Sequence, residues 1–381
     1  MRPKFLYVLL LTVLPAFAAG ASICAFQRDS LAAASEAHAV PDSLSLKDRD
    51  WWHNLKKGYF NTRDTTIIYP RFLQFCVDVY NWGDTAFNSY DPDYVEGTGK
   101  KWKAMLKSDN WSDSYAMNIG HRMPMWMLSE VYCNAGFYLS FMAVSVGYSI
   151  DLSNIIGNRP ALHKKLDFNF TCVRFNADFY YAENTGGSVI RRFGDYNDGR
   201  VCREQFPGVS FRSLGVDVYY FFNHSRYSQG AVYNFSKYQK RSSGSFILGF
   251  SYSDHDIDMD FSRLPDYMRP FYKLDEKQFD FKFSDYSLIA GYGHNFVAGK
   301  RVTFNITLLP SFGIKHAHRQ CIGGRATLLS MNYKGKVGMV YNIEDFFAGI
   351  YGKIDGHWFL NSKYSFFNSV INFGLNAGVR F

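Results

Sequence analysis

From residue 69 onward the chain alternates apolar and polar side chains with a period of two. That is the period of a strand with two unlike faces. The last run is the clearest. Phe367, Ser369, Ile371, Phe373, Leu375, Ala377, Val379 and Phe381 share one almost wholly apolar face; Asn368, Val370, Asn372, Gly374, Asn376, Gly378 and Arg380 share the other, which is small and polar. Val302, Phe304, Ile306, Leu308 and Phe312 repeat the pattern against Thr303, Asn305, Thr307, Ser311 and Gly313. So do Phe346, Ala348, Ile350, Ile354 and Trp358 against Lys353, Asp355 and His357. Several runs reach the ~9–11 residues that cross a bilayer as tilted strands, whereas sandwich strands are usually shorter.

Composition removes the competing classes. Mean hydropathy is -0.21. Past the N-terminus no apolar run approaches the ~20 residues of a membrane helix. An aromatic content of 18% is too high for a disordered chain. The net charge of +8 comes with isolated pairs such as Lys56-Lys57, Lys164-Lys165 and Arg191-Arg192, not with a basic block. No nucleic-acid partner is expected. A soluble exported β protein and a transmembrane β-barrel remain, and the run lengths favour the barrel.

Residues 1–18 read as a secretory signal. Arg2 and Lys4 precede a short apolar core from Phe5 to Leu14, Pro15 breaks it, and Ala16-Phe17-Ala18 supplies a small-x-small cleavage site. Residues 19–68 read as a periplasmic leader, with a short interfacial helix near Asp50–Tyr59 in which Trp51 and Trp52 sit beside Lys56 and Lys57. The barrel is assigned to 69–381. The six cysteines are widely spaced and form no C-x-x-C. They indicate neither zinc nor thioredoxin-like chemistry, and no disulfide pairing is assigned.

The fold class expected is all-β: a transmembrane antiparallel up-and-down barrel of about twelve strands, within a range of 10–14. The strands fall near 70–82, 115–122, 131–148, 164–182, 211–223, 230–240, 244–254, 284–297, 302–314, 324–341, 345–358 and 364–381. A slip of face near Cys172-Val173 reads as a β-bulge, and Pro310 within the ninth strand calls for a bulge or strand end. Arg241-Ser242-Ser243, Ala298-Gly299-Lys300 and Asn342-Ile343-Glu344 suit short periplasmic turns; 83–114, 149–163, 255–283 and 315–323 suit external loops. The segment 183–211 breaks this parity. It is long yet assigned to the periplasmic side, as an extra hairpin or a plug entering the lumen.

Tyr69-Pro70-Arg71-Phe72, Tyr80-Asn81-Trp82-Gly83-Asp84, Phe87-Asn88-Ser89-Tyr90-Asp91, Phe193-Gly194-Asp195-Tyr196-Asn197, Tyr219-Tyr220-Phe221-Phe222-Asn223 and the run Tyr233 to Lys240 are further landmarks. With these the chain resembles domain-of-unknown-function family 4421, over roughly residues 50–381. The resemblance implies an exported outer-membrane barrel of a Gram-negative bacterium. It implies no activity and no functional residues. Phe373, Leu375, Ala377, Val379 and Phe381 also resemble the assembly signal read by the barrel-assembly machinery, which with outer-membrane lipid is the partner expected.

Candidate chemistry is sparse. Asp254, Asp256, Asp258 and Asp260 share one face of a strand, and carboxylates so placed suit Ca²⁺. Asp254, His255 and Asp256 at a barrel mouth, or His224 beside Ser225, are candidates for activating water. A solvated loop explains the acidic run more simply, and adjacent His and Ser side chains on a strand diverge. His316, His318 and Cys321 form a weak metal candidate; no metal and no cofactor are assigned. Arg174, Asp178, Asp217, Lys353, Asp355 and Arg380 are expected to line the lumen, where charges must pair or meet water. A twelve-stranded interior is modest, which favours a mostly occluded lumen. The function expected is a narrow pore or a structural-binding barrel; the alternative is a lipid or peptide hydrolase acting at the external mouth.

Overall fold

The computed structural model describes residues 50–56, 64, 66–71, 74, 77–78, 81, 89–100, 102–119, 123–141, 144–152, 163–317, 327–360 and 364–381. Residues 1–18, read above as a signal, and most of 19–68, read as a leader, lie outside these residues. The chain divides into two compact units, one ending at Trp82 and one beginning at Gly83.

In the first unit a short helix, α1 (Trp51–Lys56), is capped by Asp50, whose carboxylate accepts from the backbone N–H groups of Trp52 and His53. Arg71, Gln74, Val77, Asp78 and Asn81 are also helical. The Gln74 backbone N–H donates to the Pro70 carbonyl, and its side chain to Asp78 at 2.9 Å. The expected strand over 70–82 is therefore corrected: the described residues Arg71, Gln74, Val77, Asp78 and Asn81 are helical, and the others after Pro70 lie outside the described residues.

The second unit carries seventeen strands among the described residues: β1 (Val95–Gly97), β2 (Trp102–Ile119), β3 (Met123–Leu128), β4 (Tyr132–Phe141), β5 (Val144–Asp151), β6 (His163–Thr171), β7 (Phe175–Asn184), β8 (Ser188–Phe193), β9 (Glu204–Phe206), β10 (Val209–Phe221), β11 (Lys237–Gln239), β12 (Ser243–Asp260), β13 (Gln278–Ala298), β14 (Val302–Ala317), β15 (Thr327–Ile343), β16 (Phe346–Leu360) and β17 (Tyr364–Arg380). A short helix, α2 (Gly230–Tyr233), precedes β11.

Twelve of these strands build one antiparallel ladder in the order β6-β7-β10-β12-β13-β14-β15-β16-β17-β2-β4-β5. β5 and β6 are its lateral ends among the described residues. The sheet curls on itself: Lys165 on β6 reaches Asp109 on β2, and Lys336 on β15 reaches Asp178 on β7. The class is an up-and-down barrel, in which pairing around the wall satisfies the backbone groups that lipid cannot.

The strand count agrees with expectation, but through compensating differences. The run 230–240 is not a wall strand. Conversely 131–148 holds two strands, β4 and β5, and 164–182 holds two, β6 and β7. Cys172-Val173-Arg174 is the hairpin turn between β6 and β7, closed by the Cys172 N–H donating to the Phe175 carbonyl, and not a bulge. Pro310 lies within β14 where the β13–β14 register is interrupted, between the pairs Ile289↔Ser311 and Tyr292↔Leu308. A missing N–H is harmless there.

Short connections after β13 and β15 lie at one end, the turn end, together with Phe381. The 261–277 connection marks the other, the loop end. The segment 185–208 also lies at the loop end, because Asn184 pairs with Phe211 and Val209 with Met259. This corrects its assignment to the side of the short turns. The long connection at the turn end is 222–242, between β10 and β12.

The wall is inverted relative to a soluble protein. Leu106, Leu248, Phe250, Leu288, Leu308, Phe312, Ile350, Phe373 and Leu375 point outward and are exposed, while Asp217, Lys334, Lys336, Asn368 and Arg380 are buried inside. Soluble monomers rarely expose apolar patches beyond a few hundred Å². Aromatic side chains stand on the outer face toward both ends: Trp102, Phe246, Phe296 and Phe346 near the turns, Tyr286, Trp358 and Trp126 toward the loops. An apolar band between aromatic girdles is the outer surface of a membrane-spanning barrel.

Leu308 is 63% exposed on β14, midway along the wall. Leu308→Arg is expected to destabilise the folded barrel by ~2–4 kcal/mol. Urea unfolding in lipid vesicles checks this; a change within experimental error would place that face outside the membrane.

Candidate functional site

The inward side chains form three successive layers. At the turn end, residues 222–242 enter the lumen. Tyr227 is buried with Tyr219, Phe221, Ile247, Ile289 and Leu309; Val232 and Phe235 are buried with Val340 and Phe347. Polar wall residues hold the segment's backbone. Asn295 donates to the Ser228 carbonyl at 2.8 Å, Lys103 donates to the Asn234 carbonyl at 2.5 Å, and Arg380 Nε donates to the Phe235 carbonyl at 2.8 Å. The Tyr233 hydroxyl donates to Asn305 Oδ1 at 2.9 Å. β11 adds a small two-stranded sheet with β1. This is a built plug.

The middle layer is charged. Lys334 Nζ lies 2.9 Å from Asp217 and 2.5 Å from Asp355. Asp217 also accepts from Ser251 at 2.5 Å and from the Tyr219 hydroxyl at 3.1 Å. His357 Nε2 is 3.2 Å from Asp355, and its ring packs on that of His255, with centroids 4.3 Å apart. Lys336 pairs with Asp178 at 2.8 Å, and Lys165 with Asp109 and Asp167 at 3.2 and 3.0 Å. Nearer the loops, Lys315 and Asp285 form a further buried pair at 3.4 Å. A cavity of about 110 Å³ remains among the central groups.

The loop end is apolar. Met117, Met123, Met125 and Met127, Phe193 and Phe206, Ile257 and Met259, Phe261, Phe279, Phe281, Phe283 and Phe366 form one buried cluster. Phe281 on β13 stacks across the interior on Phe366 of β17, with centroids 4.5 Å apart. β3, β8 and β9 form a short annex of the sheet beside it. Above it the Tyr267 hydroxyl donates to Glu204 at 2.6 Å, which pushes the phenol up to about 12.

Against the expected lumen residues, Asp178, Asp217, Lys353, Asp355 and Arg380 all face the interior. Arg380 is engaged on both sides: it holds the plug through Phe235 and Tyr238 and the wall strand β15 through Asn342. Arg174 is not on the wall. It sits in the β6–β7 turn, with its guanidinium 3.5 Å from the Ser89 hydroxyl. Val379, Ala377, Leu375 and Phe373 follow the outer face of β17, and Phe381 exchanges two backbone hydrogen bonds with Trp102 while their rings stack.

The chemical candidates are not brought together. Asp254 and Asp256 face outward while His255 faces inward against Phe211 and Phe283. The two residue types therefore form no dyad. Asp256 bridges Arg212 at 2.9 Å and Lys282 at 2.8 Å across neighbouring strands, a surface ion-pair cluster. His224 lies beyond the turn end of β10, whereas Asp254 pairs with Leu214; the seven residue steps from Leu214 to Phe221 already separate them by ~20 Å. Among the described residues no group of three His, Cys, Asp or Glu could hold a metal, and His318 and Cys321 lie outside those residues.

Sequence reasoning missed Lys334, Lys336, Lys165, the plug and the loop-end cluster. One signal was present. Toward the loops, Ile257, Met259, Phe279, Phe281 and Phe283 occupy the inward parity, with Asp256, Asp258, Asp280 and Lys282 on the outward one. This reversal marks where the wall leaves lipid and the interior turns dry.

Lys334→Met is expected to cost ~3–5 kcal/mol, because Asp217 and Asp355 lose their shared cation in a buried place. Adding Asp217→Asn is expected to restore part of that loss. Urea unfolding of both variants checks it; a neutral Lys334→Met would mean that the carboxylates are solvated.

No curated protein matches the chain in sequence. Among solved structures, the chain is similar to the outer-membrane protease OmpT from Escherichia coli, at TM-score 0.36 and 8% identity over 77% of this chain and 98% of that one. It is similar to the translocator domain of autotransporter NalP from Neisseria meningitidis, at TM-score 0.28 and 8% identity over 82% and 99%. It is also similar to the toluene transporter TodX of P. putida, at TM-score 0.21 and 8% identity over 78% and 97%. No residue role passes from these proteins to this chain. The model of the family described as Domain of unknown function (DUF4421) matches residues 89–381, almost the whole of the barrel unit, and the chain belongs to that family.

Proposed function

We propose that this protein is an outer-membrane barrel with a closed lumen, acting as a binding or anchoring barrel and not as an open diffusion pore. The observation that carries this reading is closure at both ends: a hydrogen-bonded plug at the turn end and an aromatic–methionine cluster at the loop end. An open porin keeps a water-filled interior; here the central charges answer one another. In this reading the turn end faces the periplasm and the loop end faces outward. The annex of β3, β8 and β9, with the 261–277 loop, is then the surface offered to the exterior. The outward alternation of β17 is the feature offered to the barrel-assembly machinery, and export through the N-terminal signal delivers the chain to it.

The refolded barrel in planar bilayers is expected to show no steady conductance at moderate voltage. Replacing 224–241 by a short glycine–serine turn is expected to leave it silent, because the loop-end cluster still closes the path. Steady single-channel conductance of the native chain would overturn the closed-lumen reading.

A further inference from the structure

We propose that the central chamber holds a divalent transition-metal ion of the tetragonal kind, Cu²⁺ or Ni²⁺, on the imidazoles of His255 and His357. Both rings face the interior, His255 from β12 and His357 from β16, and both residues are buried, at 2% and 4% exposure. Each ring has one nitrogen engaged. His357 Nε2 lies 3.2 Å from an Asp355 carboxylate oxygen, and His255 Nε2 lies 3.0 Å from the Ser253 hydroxyl. A carboxylate only accepts, so the neutral His357 ring carries its proton on Nε2 and its lone pair on Nδ1. The Ser253 hydroxyl accepts from His255 in the same way. Among the described residues neither Nδ1 has a hydrogen-bond partner. Two buried lone pairs are left unused. An imidazole held through one N–H by an oxygen, with its other nitrogen spare, is the arrangement in which histidine ligates metals.

The spacing of the rings selects the ion. Their centres are 4.3 Å apart and their planes are inclined at 59°. At a metal–nitrogen distance of roughly 2.0–2.1 Å, ring centres that close subtend nearly a right angle at a shared metal, whereas a tetrahedral ion holds them ~5 Å apart. Nitrogen ligands at right angles belong to tetragonal Cu²⁺ and Ni²⁺, which also take oxygen ligands. Of the first-row dications Cu²⁺ is held most tightly. Two nitrogens completed by hydroxyl and water oxygens make such a site without a third His, Cys, Asp or Glu.

The second observation is space. His255, His357 and Ser213 all border the cavity of about 110 Å³. Ser213 is the cross-strand neighbour of His255, is buried, and has a hydroxyl without a partner among the described residues. It is the oxygen ligand nearest to hand in the wall. At roughly 10–15 Å³ per water on this measure, the cavity holds the ion together with several waters. Attachment is by lone pairs, so it needs no unbalanced charge in the lining. The lysines at this level are already answered: Lys334 by Asp217 and Asp355, Lys315 by Asp285. The cavity extends to β6, where Asp167 remains 46% exposed and an ion can enter. The site stands whether or not the barrel conducts.

The test uses the full-length, untagged barrel refolded in a nonionic detergent, with one equivalent of Cu²⁺ as the probe. The electron paramagnetic resonance spectrum of the native protein is expected to show a tetragonal copper coupled to two nitrogens. His255→Phe, placed between Phe211 and Phe283, is expected to lower the nitrogen count to one and to weaken binding at least tenfold. Ser253→Ala is expected to keep both nitrogens and to weaken binding tenfold to a hundredfold, by freeing the ring that its hydroxyl holds. His53→Gln, in the first unit, leaves the spectrum unchanged. Native protein without a two-nitrogen copper signal overturns the proposal. So does a signal unchanged in His255→Phe, which would put the copper elsewhere. If His255→Phe does not fold, Ser253→Ala decides: unchanged affinity overturns the proposal, and the expected weakening supports it.

Discussion

Every other feature of this barrel depends on one constraint: a strand crossing lipid has no water to satisfy its backbone, and its two faces meet opposite solvents. Among the described residues the backbone problem is met between neighbouring strands, by the antiparallel ladder that pairs every strand from β7 around to β4 on both sides. The side-chain problem is met by an apolar outer face and a polar inner one. Inside, however, the lumen of a twelve-stranded wall is too small for bulk water and too large for wall side chains alone. The chain fills the difference with itself. Residues 222–242 enter from one end and the methionine–phenylalanine cluster occupies the other, and between them lysines and aspartates neutralise one another.

Such a middle layer is a constraint as much as a support. A buried ion pair repays its desolvation only when geometry and additional hydrogen bonds are good. Asp217 meets that condition, with Lys334, Ser251 and Tyr219 all bound to it. The pairs also link distant strands: Lys336 to Asp178 joins β15 to β7, and Lys165 to Asp109 joins β6 to β2. They act as cross-ties inside the curl, where outward contacts with fluid lipid fix no geometry. Binding of the wall to the plug has the same character. Arg380 is spread over Phe235, Tyr238 and Asn342, so the last strand of the wall and the plug are tied at one side chain.

Much of this was legible in the sequence because period two survives without knowledge of partners. Leu308, Ile350 and Leu375 declared the outer face, and Asp217, Lys353 and Asp355 the inner one. The number of strands was legible for a weaker reason. Two hairpins were hidden because their turns lack glycine, proline and asparagine signals: Cys172-Val173-Arg174 joins β6 to β7 within an unbroken run. The run at 230–240 was misleading in the opposite sense. Val232 and Phe235 are buried against Val340 and Phe347 while Lys240 stays at the surface, so the plug shows a mixed polarity like that of a wall strand. Nothing local distinguishes a segment packed inside a barrel from one packed in its wall; the difference lies in which neighbours complete it.

The polarity reversal along β12 and β13 carries the argument one step further. In the membrane zone the outward residues are Phe250, Tyr252 and Leu288; beyond it they are Asp256, Asp258, Asp280 and Lys282. The inward residues change in the opposite sense, from Ser251 and Ser287 to Ile257, Met259, Phe279 and Phe281. A pore that stayed wet to its mouth would need only the first change. The second is required only where the interior is dry at the level at which the exterior has become wet. Closure at the loop end is therefore written into the wall strands themselves, independently of the loops that cover them. Where one face trades lipid for water and the other trades a charged chamber for an apolar cap, the same period-two pattern continues with its faces exchanged.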